Sequence, residues 1–247
     1  MRLVQALSEK NELTLARMRW SALATACLMF AQGHVAVGQP PSAGGAPRAD
    51  APSAPIKRGQ VELAHSRVYM HVGKTGLGYE HAVVGKLASG ELHLSAAENP
   101  KQDPGKLVLD LRTFEADTDA ARKYIGLDID PDQHQRKQVT DTMLGPDVLD
   151  VDKYPLATFI ITRVTKLETA SPRGLPQYEI AGDFRLHGTT RPVQFTVDVE
   201  VVKGWLRVRG AFAILQTHHG IQPYRKLFGA IAVADKVDIH GDLIIAP

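Results

Sequence analysis

The sequence predicts an all-β fold: an antiparallel barrel of about eight strands with a short helical insertion. Three observations predict it. Between Gly182 and Ile214, apolar and polar residues alternate through three consecutive stretches, the period of half-buried strands. Beyond Gly59 the same alternation recurs on both sides of one interruption, Asp117 to Leu144, whose pattern is helical. Two helices cannot cover the apolar faces of so many strands, so the faces must cover one another. An up-and-down antiparallel sheet does that by closing.

The chain of 247 residues does not begin as a domain. Arg17, Arg19 and Trp20 precede an apolar run, Ser21 to Ala31, and small residues follow in HVAVGQ. A basic start, a short apolar run and a small-residue exit read as a secretory signal peptide, placed at residues 1–38. The run is shorter than the roughly 20 residues a spanning helix needs, so the mature protein is expected to have no transmembrane segment. Met18 is an alternative start that leaves a leader of more ordinary length. The single cysteine, Cys27, falls inside the leader, so the mature chain is expected to have no disulfide and no Cys-ligated metal. A lipid-anchor reading of Cys27 lacks a Leu three residues earlier, where Ala24 stands.

Residues 39–58 are rich in Pro, Ala, Gly and Ser and bury almost nothing, so they read as a disordered linker. Residues 59–247 remain as one domain, long enough for a substantial core. The formal net charge is +2 and the leader holds a basic excess, so the mature protein is near neutral. No basic block interleaved with aromatics appears, which argues against nucleic acid as a partner.

Within the domain, Val61–Val72 places Val68, Met70 and Val72 at spacing two. His81–Leu94 is expected to turn at Ser89-Gly90. Lys106–Arg112 sets Leu107, Leu109 and Leu111 against Val108, Asp110 and Arg112. Asp117–Leu127 and Pro131–Leu144 read as helices, the second capped by Asp130 and stopped by Gly145-Pro146. Strands resume at Leu156–Val164, Gln177–His187, Pro192–Val202, Trp205–Leu215 and Ala230–Ile245. Lys203-Gly204 makes a tight hairpin turn. A turn at Asp235-Lys236 and a bend at Gly241 are expected inside the last strand.

Period two selects the inward residues. They are Val68 and Met70, Leu107 and Leu109, Phe159 and Ile161, and Phe184 and Leu186. Phe195 and Val197, Phe212 and Ile214, and Ile239 and Leu243 complete the lining. Both faces of the Phe159 strand are apolar, so its assignment rests on the least contrast. Periodicity leaves open whether side chains fill the middle or leave a cavity, and by itself favours a packed core.

Catalytic and metal patterns are missing from the sequence. The histidines are scattered without H-E-x-x-H or H-x-H spacing. His218-His219, if on a strand, point to opposite faces, and the histidines as a group read as surface or turn residues. No G-x-S-x-G elbow occurs, and Gly73-Lys74-Thr75 lacks the upstream glycine of a phosphate loop. Neither a catalytic function, a metal nor a cofactor is expected. Binding is the default, and an oily barrel interior suits an apolar, elongated molecule.

Four segments carry a family resemblance: HSRV (65–68), LDVDKYPLATFIITRV (149–164), GDFRLHGTTRPVQFTV (182–197) and GIQPYRKLFGAIAVADKVDIHGDLII (220–245). Together they resemble the YceI-like family from about Val61 onward. The resemblance implies a lipocalin-like barrel with a helix-containing insertion, export to the periplasm or beyond, and a polyisoprenoid or similar long-chain amphiphile held inside. In that light Tyr154-Pro155 opens a strand, and Arg191 in the Leu186–Pro192 hairpin is expected to pair with a neighbouring carboxylate rather than meet a head group. The first strand lacks the aromatic and Asp that often precede His-Ser in the family. The expected protein is a periplasmic or secreted lipid carrier, for which a homodimer is compatible. The alternative is an envelope or stress interaction protein whose barrel is packed solid.

Overall fold

The computed structural model describes residues 57–128 and 132–247. The leader, nearly all of the linker and Asp130-Pro131 lie outside these residues. Eight long strands form one antiparallel sheet: β1 (Arg67–Lys74), β2 (His81–Leu92), β3 (Gly105–Ala116), β4 (Leu156–Lys166), β5 (Gln177–Leu186), β6 (Thr189–Val202), β7 (Trp205–Leu215) and β9 (Ile231–Ile245). A two-residue strand, β8 (Arg225–Lys226), pairs with the start of β9. Strands β1 to β7 neighbour one another in chain order, β7 pairs with β9, and β9 pairs with β1. That last pairing, from Arg67 opposite Asp242 to Lys74 opposite Val233, closes the barrel. Closure gives every long strand two neighbours, although β6 and β7 part beyond Val197 and Gly210.

Two connections set the register. His187-Gly188 joins β5 to β6, and Lys203-Gly204 joins β6 to β7; all four residues have positive φ, between 49° and 84°. That is the two-residue hairpin geometry that matches strand twist. Strand β6 begins at Thr189, three residues before the expected Pro192. Pro192 is tolerated because β6 pairs with β7 only from Val197 onward, leaving its amide side without a ladder partner.

Other expectations need correction. Ser89-Gly90 is not a turn: β2 runs through it, and the register shifts between Leu87 and Ser89 mark a bulge. Gly241 lies within β9 and is held on both sides by β7 and β1. Asp235-Lys236 makes no turn but falls at a bulge, where the β1 register shifts between Val72 opposite Val237 and Lys74 opposite Val233 and Lys236 pairs only with Leu215 of β7. Val61 is not part of β1; it makes a single bridge to Ile245, and a turn separates it from Arg67.

The insertion forms α1 (Asp119–Ile125) and α2 (Gln133–Leu144). Thr118 caps α1, and Asp132, not Asp130, caps α2. Strand β4 pairs with β3 only along Lys106–Asp110. Beyond that point α2 takes the place of a strand neighbour, and the Ala116 amide donates to Thr140 Oγ1 at 3.0 Å. The helix therefore leans over the barrel end where β2 begins and β3 ends. The opposite end is closed by Val61, Leu92, Ala96 and Ile245, all buried.

Helix α1 is anchored by charge. Asp117 is buried with φ +57°, and its carboxylate accepts from His81 Nδ1 at 2.6 Å, Arg122 Nη1 at 2.8 Å and the Ala82 amide at 3.1 Å. Burial pushes this carboxyl upward, but the bonds from His81, Ala82 and Arg122 outweigh it and hold it below the ordinary carboxylate range. Tyr124 stacks on Tyr69, with ring centroids 3.8 Å apart.

Candidate functional site

Among the described residues, three cavities lie in the barrel interior. The deepest, about 60 Å³, is walled by Val68, Leu107, Phe159, Ile161, Phe195, Val197, Phe212 and Leu243, among others. The middle one, about 80 Å³, is walled by Met70, Leu186 and Ile214 together with Leu111 and Phe114. Leu109, Phe184 and Ile239 stand between the two and wall both. All fourteen residues selected by period two therefore face the barrel interior, Phe159 included. The third and largest cavity, about 320 Å³, lies at the end covered by α2. It shares Val72, Val83, Met143, Val148 and Gln216 with the middle one. The three spaces form a series along the barrel, wide at the α2 end and narrow within.

Four phenyl rings occupy the narrow part. Phe212 is central, with centroids 4.9 Å from Phe195, 5.4 Å from Phe184 and 6.4 Å from Phe159. Glycines on the inward side of β5 and β7 let them fit. A Cβ at Gly182 would meet Phe159 Cε2 at 2.7 Å, and one at Gly210 would meet Phe195 Cδ2 at 3.3 Å. Both would also press on neighbouring backbone oxygens. The walls of the deep cavity carry no polar side chain, and Gln216 is the single polar side chain walling the middle one. Its Nε2 donates to the Ala234 carbonyl at 2.8 Å.

A polar margin appears only at the wide end. His81, Gln138, Thr142, Gln216 and Lys226 join Val139, Met143, Tyr224 and Ile231 around it. An apolar shaft with a few polar groups at one end suits an amphiphile entering tail first. Of these residues, Val139 and Met143 on α2, four apart, carried a sequence signal as one helix face. Gln216, Tyr224 and Lys226 carried none, because a single 3-10 turn, an irregular segment and the two-residue β8 are too short to show a period.

The histidines divide by environment. His219 lies in a single turn of 3-10 helix, in keeping with its reading as a surface or turn residue, but it is a buried turn residue and not a surface one. It packs edge-on against Phe184 and bonds the Thr189 carbonyl at 3.2 Å, and burial lowers its basicity. Among the described residues Arg191 pairs with no carboxylate; its Nε donates to the His218 carbonyl at 3.1 Å, and it walls none of the three cavities. Tyr154 tilts onto His187 at 4.3 Å, so the Tyr154-Pro155 and His187-Gly188 segments meet in space. Among the described residues, no three His, Cys, Asp or Glu side chains converge as a metal site would. No described helix is long and apolar enough to cross a membrane.

The YceI-like domain family matches residues 60–244, the whole barrel with its insertion. The chain belongs to the YceI-like family. No curated protein matches it in sequence. Among solved structures, this YceI-like barrel is similar to Burkholderia cenocepacia BcnA at 20% identity, covering 75% of this chain and 99% of that one with a TM-score of 0.49. It is similar to a polyisoprenoid binding domain from Saccharophagus degradans at 12% identity, covering 77% and 100% with a TM-score of 0.47. A Campylobacter jejuni YCEI protein follows at 8% identity, covering 80% and 90% with a TM-score of 0.39.

Proposed function

We propose that this YceI-like protein is an exported, non-catalytic carrier that takes a polyisoprenoid or similar long-chain amphiphile tail first into its barrel. One observation carries the reading: three apolar cavities in series, sharing walls, with polar groups only at the wide end. That ligand class is the one the family resemblance implies. The wide cavity, at about 320 Å³, alone reaches the size of ordinary ligand sites, about 300–1,000 Å³. The inner two fall well short of it, so a long tail has to displace the phenyl rings. Phe195 and Phe212 are half-buried where Phe159 and Phe184 are buried, so they are the rings displaced at the least cost.

The small inner cavities favour a second reading, a barrel packed solid that carries no lipid. Native mass spectrometry of protein recovered from an exporting cell, followed by solvent extraction, separates the two. The carrier reading expects a discrete added mass that extracts as a long-chain lipid and is lost in Phe195→Asp, a carboxylate placed in the deep cavity. A bare mass that stays bare after exposure to long-chain lipids supports the packed barrel. Processing to a mature protein lacking residues 1–38, read from the same spectrum, tests the export assignment.

A further inference from the structure

Two loops meet at the wide end and form a single tip. The β1–β2 loop and the segment from β8 to β9 are zipped together: the Thr75 amide donates to the Ala232 carbonyl at 3.0 Å, and the Leu77 amide to the Ala230 carbonyl at 2.8 Å. A Cβ at Gly76 would lie 2.5 Å from that Ala230 oxygen, so the two backbones touch. This tip displays four of the five most exposed large hydrophobic side chains among the described residues; the fifth is Val201, on the β6–β7 hairpin. Phe228 is fully exposed (114%), Leu77 74%, Tyr79 71% and Leu227 63%. Leu227 and Phe228 both have positive φ, 51° and 56°, a conformation unfavourable for non-glycine residues that turns them outward in succession.

Cations surround them. Lys74, Arg225 and Lys226 are exposed, and among the described residues none of the three forms an ion pair. Lys74 Nζ donates only to the Gly78 carbonyl of its own loop, at 3.0 Å. Apolar and aromatic side chains ringed by unpaired cations match the layered chemistry of an anionic bilayer, acyl chains beneath negative head groups. A second copy of this chain fits poorly, because a two-fold contact through the tip would set its cations against their own duplicates. Leu77, Tyr79, Tyr224 and Lys226 also wall the wide cavity, so a surface under the tip lies at its opening.

We propose that this tip docks the open end of the barrel onto an anionic lipid bilayer. Leu227 and Phe228 enter the head-group boundary while Lys74, Arg225 and Lys226 meet the phosphates. Docking places the wide cavity at the membrane surface, where a tail passes between bilayer and barrel without crossing water. That purpose rests on the carrier reading; the docking itself does not.

The test is co-flotation of the recovered protein with vesicles that contain no isoprenoid. One set is phosphatidylcholine alone, and the other is equal parts phosphatidylcholine and phosphatidylglycerol. The protein is expected to float with the anionic vesicles and much less with the neutral ones. Leu227→Ser/Phe228→Ser should weaken binding about tenfold or more for each apolar side chain lost. Lys74→Gln/Arg225→Gln/Lys226→Gln should cost about fivefold per cation. Circular dichroism confirms that both variants fold. Phe228→Trp supplies an independent reading, its emission shifting to the blue on anionic vesicles. Binding unchanged in both multiple variants, or Phe228→Trp emission unmoved by vesicles, overturns the proposal. Because the vesicles lack the cargo, docking can hold while the carrier reading fails, and the reverse.

Discussion

Phe184 stands between the deep and middle cavities and touches Phe212 on one side and His219 on the other. It is 3% exposed, so its ring acts as an internal partition rather than a surface group. Phe184→Leu should merge the two spaces at a cost of about 1–3 kcal/mol in stability, read by denaturant unfolding. The same variant is expected to retain more, or longer, lipid in extraction analysis; unchanged cargo would mean that this ring does not limit the tail. His219 responds to pH. Its folded form disfavours the proton, so its contribution is complete above its ordinary value near about 6.5 and is lost as pH falls from there through its lower folded value. Measured against His219→Gln, wild type should lose part of its thermal advantage between neutral pH and mild acid. The lining was readable in the sequence because strand alternation assigns a face to every residue, as with Phe195 against Gln194 and Thr196. How the rings pack was not readable. That depends on Gly182 and Gly210 lying beneath Phe159 and Phe195, a relation across strands that only register reveals.

The insertion decides where the barrel opens. Helix α1 is fixed to β2 through Asp117, which satisfies His81, Arg122 and a backbone amide within one buried cluster. Removing the charge with Asp117→Asn leaves Arg122 buried without its partner, which should cost about 3 kcal/mol or more. Faster hydrogen exchange is expected first in α1, and equal exchange in both proteins would show that Tyr69–Tyr124 stacking holds the helix instead. The acid dependence has a definite sign. The Asp117 carboxyl lies below its ordinary value in the fold, so its stabilisation is present above about pH 4 and disappears as pH falls through that lower value. The difference between wild type and Asp117→Asn should therefore shrink in strong acid. Both helices were legible from the change of period, and Lys203-Gly204 from turn chemistry. Ser89-Gly90 and Asp235-Lys236 misled for one physical reason: turn-forming residues also occupy bulges inside long strands, where the register shifts without the chain reversing. Strand β8 has two residues and no period to detect.

At the scale of the molecule, closure of β1 onto β9 brings all eight long strands around one interior, so whatever enters the cavities contacts strands distant in sequence. The deep cavity alone is walled by Val68 of β1, Phe159 of β4, Val197 of β6 and Leu243 of β9. A tail lodged there is a core component supplied from outside, and its binding free energy adds to that of folding. At a hundredfold excess over its dissociation constant, a ligand adds about 2.7 kcal/mol. For a domain of this size that is a rise of about 5–10 °C in melting temperature. The location of protection tells how far the tail goes. A ligand confined to the wide cavity should slow hydrogen exchange in α2 and the start of β9 only. One that reaches past Phe184 should also protect the centres of β4, β5 and β7, where the phenyl rings now fill the space. Stripping bound lipid from purified protein should lower the melting temperature and release that central protection together. If stripping changes neither, the phenyl cluster is itself the finished core, and the wide cavity is the whole of the site.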